Sequence, residues 1–136
     1  MHSYTANGNI VPSTIVKFDA STPAPFRIVQ ASAATDHFIG IAQQFTDYAP
    51  IPSLTGTQYA AIAGENCLVY TDNDECSALV SSSGGAAVTD GDALTSGADG
   101  GVLTTTTQDN WLVGRAIDTV SNPALVRILV LIGVYR

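Results

Sequence analysis

The sequence predicts an all-β fold, a small single-domain β-barrel or β-sandwich, and three observations carry that prediction. Residues 88–135 fall into four short runs rich in Val, Leu, Ile and Thr, split by Asp-Gly, Gly-Ala-Asp-Gly-Gly, Gln-Asp-Asn and Ser-Asn-Pro. Glycine reaches positive φ without steric cost and Asn or Asp can bond its own backbone, so these clusters mark tight turns. The runs between them are too short and too β-branched for helices. Hydrophobic residues make up 46% of the 136 and charged ones only 12%, which suits one domain with a real core and a polar, weakly charged surface.

Taken in order, residues 1–13 are polar and turn-rich around Asn7-Gly8-Asn9, with Tyr4, Ile10 and Val11 as their apolar members. They read as a flexible N-terminal arm on a β domain of residues 14–136, and deleting them is expected to leave that domain folded. Residues 14–18 form a first strand, followed by a proline loop at 21–25, because proline fixes φ and removes a ladder donor. Further strands are expected at 26–30 and 38–45, and an irregular stretch at 48–54 containing Pro50 and Pro52. Residues 55–63 read either as a short helical turn or as a strand. Their alanines lean helical, and Gly56 and Gly64 keep the piece short.

Residues 67–70 and 76–80 read as a hairpin across an acidic tip, which sets Cys67 opposite Cys76. Opposed cysteines can form a cross-strand disulfide. Two small buried thiols are the alternative, and the one a cytosolic origin favours. Residues 81–85 then form a Ser-Gly link into the second half.

One internal echo stands out. Phe38-Ile-Gly-Ile-Ala and Leu112-Val-Gly-Arg-Ala share a pattern of two large apolar residues, Gly, any residue, Ala, offset by 114 − 40 = 74. An interior strand glycine marks a bulge or a close backbone approach, so Gly40 and Gly114 are expected to have structural roles. The echo suggests a fold built from related halves.

The chain has 12 acidic and 5 basic residues, a formal charge of −7, with no basic cluster to attract phosphates, so nucleic acid is not expected as a partner. The most apolar run, 128–134, is far shorter than the ~20 residues of a spanning helix, and no basic-then-apolar leader opens the chain. A soluble protein made in a cytosol is the expectation, with no membrane partner.

No nucleophile elbow, phosphate loop, dinucleotide fingerprint or zinc-protease motif occurs. No catalytic residue, metal ligand or cofactor is therefore assigned, and the chain is read as a non-enzyme. His37 holds the place of Trp111 in the echo, which argues that it packs or caps a turn. Asp72, Asp74 and Glu75 lack calcium-loop spacing and read as a solvated tip. Asp90, Asp92 and Asp99 sit beside glycines as turn formers. Arg115 and Arg127 interrupt apolar strands and are expected on solvent or interface faces. Trp111 is either core or a contact anchor.

Val88-Thr-Asp-Gly-Asp-Ala-Leu-Thr, Gly101-Val-Leu-Thr-Thr, Asn110-Trp-Leu-Val-Gly-Arg-Ala and Val126-Arg-Ile-Leu-Val together resemble a family of tailed-phage capsid decoration, or cement, proteins. Phe38 to Ala42 and Gly64-Glu65 fit the same pattern. Residues 46–61 look like an insertion, and 131–136 run past the usual close. The resemblance implies a small β domain on the outer capsid surface of a virion assembled in the host cytoplasm. Its partner would be the major capsid protein, clamped as neighbouring subunits by homotrimers, and the arm residues Tyr4, Ile10 and Val11 would be capsid contacts. Two rivals remain: a head fibre or receptor- or carbohydrate-binding module, which predicts an exposed aromatic platform, and a small enzyme with clustered perturbed carboxylates.

Overall fold

The computed structural model describes residues 1–20, 27–44, 59–82, 87–120 and 125–136. Among these the secondary structure is all β, in ten strands. The first five are β1 (His2–Ala6), β2 (Ile15–Phe18), β3 (Arg27–Gln30), β4 (Phe38–Ala42) and β5 (Asn66–Tyr70). They close into a barrel in the order β1-β3-β2-β4-β5. The second five are β6 (Glu75–Leu79), β7 (Ala93–Ser96), β8 (Val102–Thr104), β9 (Trp111–Ala116) and β10 (Leu125–Val134). They form a sheet in the order β6-β10-β9-β7-β8, whose ends meet through one parallel bridge, Val80↔Val102.

Of residues 1–13, expected to form an arm, His2–Ala6 are a barrel strand instead. β1 pairs antiparallel with β5, from His2↔Val69 to Thr5↔Asn66, and parallel with β3 at Ala6↔Ile28. Beyond it Ile10 pairs with Ala61, and both Ala6 and Ile10 are fully buried. Burial of these side chains and the ladder on both flanks outweigh the polar, turn-rich composition that suggested a free terminus.

Residues 59–63 are not helical: Ala61 bridges Ile10, and the Ala60 amide donates to the Ile10 carbonyl at 2.7 Å. Their alanines are there to be buried, since Ala60 and Ala61 sit in the barrel core. The remainder of that stretch (55–58), the expected loop at 21–25 with Phe26, the irregular stretch at 48–54 and most of the Ser-Gly link lie outside the described residues.

The expected hairpin of β5 and β6 is also corrected. A turn does join them, with the Asp74 amide donating to the Thr71 carbonyl, the Asp74 carboxylate accepting from the Thr71 amide, and Asn73 at φ 73°. It carries the chain from one sheet to the other. β5 pairs with β1 and β4, whereas β6 pairs with β10. Cys67 therefore lies in the barrel core and Cys76 in the core of the second unit, with no disulfide between them. Burial, helped by the negative charge of Asp74, pushes the Cys76 thiol up to about 12.

The two units are built to the same register. Ala6↔Ile28, parallel, corresponds to Val80↔Val102, also parallel, each residue displaced by 80 − 6 = 102 − 28 = 74. Val16↔Gly40 corresponds to Leu94↔Gly114, displaced by 94 − 16 = 78 and 114 − 40 = 74. Ile41↔Tyr70 corresponds to Arg115↔Leu129, and His2↔Val69 to Cys76↔Ile128, with the last strand displaced by 129 − 70 = 128 − 69 = 59. The first unit thus carries 74 − 59 = 15 more residues before its last strand, which is where an insertion was expected. Core positions agree as well: Ala6 and Val80, Val16 and Leu94, Ile28 and Val102, Ala42 and Ala116, Cys67 and Val126, and Val69 and Ile128 are all buried.

Gly40 and Gly114 are equivalent in this scheme, and each is required by close approach. A Cβ on Gly40 would overlap the Tyr70 carbonyl oxygen, and one on Gly114 the Leu129 carbonyl oxygen. Those carbonyls belong to the equivalent strands β5 and β10.

The units interlock rather than merely touch. The Leu79 amide donates to the Ser13 carbonyl and the Ile15 amide to the Gly100 carbonyl, each at 2.8 Å. Ile15, Ala31, Phe38 and Ile41 of the first unit pack into the core of the second. The Gln30 side chain spans the junction, accepting from the Val11 amide at 2.9 Å and donating to the Asp99 carbonyl at 2.7 Å.

Asp99 pins this junction from the other side. Its carboxylate accepts from the Ser81 hydroxyl, the Ser82 amide and hydroxyl, and the Gly101 amide, at 2.7–3.1 Å. Burial alone would raise its pKa, but these donors outweigh burial and hold it below the ordinary carboxylate range. A carboxyl depressed in the folded state stabilises the fold above its unfolded pKa, and that contribution is lost as pH falls through the folded value. Asp99→Ala is expected to cost about 2 kcal/mol at pH 7. Denaturation of both proteins from pH 7 to pH 2 should show the gap narrowing below about pH 4.

Candidate functional site

The barrel interior opens at one end into a groove of about 450 Å³, lined by His2, Tyr4, Phe18, Phe38, Ile39, Thr71, Asp72 and Ile132. Strand alternation explains its composition. Tyr4 and His2 continue the inward face of Ala6 along β1, and Phe18 continues that of Val16 along β2. Past the end of the closed core these side chains meet solvent rather than one another's backbones.

Their rings touch edge to face: Tyr4 and Phe18 at 5.6 Å between centroids and 80°, and His2 and Tyr4 at 6.4 Å and 61°. Such contacts suit the ring quadrupoles. Phe18 remains 43% exposed, unusual for a large aromatic. On the far wall the Asp72 carboxylate accepts from the Ile132 amide at 2.7 Å and forms no ion pair among the described residues. Nearby, Asp74 is 2.9 Å from the Met1 ammonium. The hydrogen bond from that ammonium, and one from the Thr71 amide, hold the Asp74 carboxyl below its usual range.

The second unit has no such groove lining. The positions equivalent to His2, Tyr4 and Phe18 are Cys76, Ala78 and Ser96, small side chains that are buried. The contrast between the halves makes the aromatic mouth a feature of the first unit alone.

The other residues singled out by sequence scatter into structural roles. Ile10 is core and cannot serve as a surface contact, and Val11 is half-buried with its amide on Gln30. Of the three arm candidates only Tyr4 reaches the groove. His37 and Trp111, equivalent positions of the echo, stack face to face across the units at 4.0 Å and 16°. The Trp111 amide donates to the Ala34 carbonyl beside that stack. Arg115 is exposed and donates to the Gly91 carbonyl, and Arg127 faces Glu75 at 3.9 Å. Asp92 accepts from the Thr89 amide within its turn.

Asp36 is a third perturbed carboxylate, after Asp99 and Asp74. Burial would raise it, but the Ser32 and Ala33 amides and the Lys17 ammonium at 2.9 Å outweigh burial and lower it. Depressed, hydrogen-bonded carboxylates of this kind hold turns and pairs together; a general acid would need the opposite shift. Sequence reasoning missed the groove because its members come from β1, which was read as an arm, and from separate strands. The signal available was His2-x-Tyr4, an alternation that only a strand assignment makes meaningful.

No family model matches the chain, and no curated protein does. Among solved structures the chain is similar in fold to the head fibre gp8.5 N base of bacteriophage phi29. The two share 16% sequence identity with a TM-score of 0.59, and the match covers 96% of this chain and 92% of that one. The likeness runs through both units and concerns the fold.

Proposed function

We propose that the protein is a non-enzymatic structural component of a tailed-phage head, seated on the outer capsid surface. There it holds neighbouring major capsid subunits together, as trimers. The observation that carries this reading is the whole-chain likeness to the base of a phage head fibre. The decoration-protein motifs in residues 88–130 point to the same part of a virion from an independent direction. A chain with only 12% charged residues suits a molecule partly covered in use, and weak contacts repeated over a shell gain strength through multivalency. The net charge of −7 is no obstacle outside a shell that keeps DNA within.

The same likeness favours one second reading, the base of a fibre that stands on the head. Mixing the purified protein with mature heads that lack it separates the two. Saturation near one copy per capsid subunit, with heads that release DNA at a higher temperature, is the expected result for a clamp. Saturation at a small number of copies assigns a fibre base. Absence of saturable binding overturns both.

A further inference from the structure

We infer that the aromatic groove at the mouth of the first barrel is a docking site for a basic side chain, the ammonium or guanidinium tip of a lysine or arginine presented by a partner protein. The inference stands apart from the virion reading, because it rests on the groove alone. Three observations converge on it.

The first is the shape made by the rings. Tyr4 and Phe18 meet at 80° and His2 and Tyr4 at 61°, so they form walls around a corner. A pyranose could stack on one of these rings but not on two, since rings so steeply inclined provide no shared plane. A compact cation can approach more than one wall, attracted by the negative face of each ring.

The second is charge. Asp72 lines the groove, its carboxylate held in place by the Ile132 amide and paired with no cation among the described residues. The Met1 ammonium, next in the chain to His2 of the groove, is engaged by Asp74. The groove therefore joins aromatic faces to an uncompensated negative charge, on a chain whose own balance is −7. An organic cation with an apolar stem complements both, the stem lying along Ile39 and Ile132.

The third is the comparison between the units. The equivalent places of the second unit hold Cys76, Ala78 and Ser96, all buried, and Cys76 and Ala78 lie in a core that Phe38 and Ile41 of the first unit also enter. Large rings that reach solvent at these places are therefore particular to the first unit, with Phe18 43% exposed.

The test titrates the full-length, isotope-labelled protein with Nα-acetyl-lysine N-methylamide and its arginine counterpart. Nα-acetyl-norleucine N-methylamide, which keeps a stem and lacks the charge, is the control, and the ring resonances of His2, Tyr4 and Phe18 are followed by NMR. The expected result is saturable shifts of those rings with at least one cationic probe, about five-fold tighter than with norleucine. Asp72→Asn keeps an acceptor for the Ile132 amide, so it should fold normally and weaken the cation about five-fold while leaving norleucine unchanged. Phe18→Ser installs the residue of the second unit and should weaken all three probes. Equal binding of charged and neutral probes, no saturable shift with any of them, or preferential binding of N-acetylglucosamine would each overturn the inference.

Discussion

Replacing Gly114 by alanine is expected to cost about 3 kcal/mol, and by valine more. The added Cβ would run into the Leu129 carbonyl oxygen and crowd the Val130 backbone. A flexible side chain could swing aside, but β10 is held by β6 on one flank and β9 on the other, so its backbone cannot retreat cheaply. Gly40→Ala should behave alike, because its Cβ meets the Tyr70 carbonyl within a closed barrel. Gly8→Ala is the control, with nothing within 4 Å, and should lie within about 0.5 kcal/mol of the parent. Chemical denaturation of the three variants checks this directly. A parent-like midpoint for Gly114→Ala would mean that β9 and β10 lie further apart than described.

Deleting residues 1–7 should have the larger effect and abolish cooperative folding. The deletion removes β1 whole and leaves the facing edges of β3 and β5 without partners. It also takes away Ala6, whose amide and carbonyl bind the Glu65 carbonyl and the Gly64 amide at 2.8 Å. With a typical net stability of about 5–15 kcal/mol, a domain does not survive the loss of one strand in a five-stranded barrel together with its ladder bonds. A broad, non-cooperative thermal transition is the expected readout. A sharp transition near the parent temperature would restore the arm that the composition suggests.

Much of the fold is legible in the sequence because it is local. The runs near residues 15–18, 27–30, 38–42 and 111–116 alternate or cluster apolar residues between turn formers, and each is a strand. Gly40 and Gly114 could be singled out because an interior strand glycine needs a reason, and backbone crowding supplies it. His37 could be matched to Trp111 by their shared offset, although not to the point of seeing that they stack.

What could not be read is partnership. β5 and β6 flank a genuine turn, and only the distant strands β1 and β10 decide that they belong to different sheets. The repeat itself shows at one motif because displacements of 74, 78 and 59 break any constant period. Its core positions also keep apolar character without keeping identity. The groove follows from these same long-range choices: until β1 is a strand, His2 and Tyr4 have no common face.

The closure of the first unit has a consequence for how the molecule can sit beside others. A sheet with an open side offers unpaired amides and carbonyls, on which another molecule's strand can template itself. Here β1 joins β5 and closes the first unit, which presents no bare ladder, whereas in the second the Val80↔Val102 bridge ties together only the ends of the edge strands β6 and β8. Crowded side by side, such molecules cannot add strands to one another through that barrel. Contacts through it are left to side chains, which can be tuned one at a time without touching the backbone scaffold.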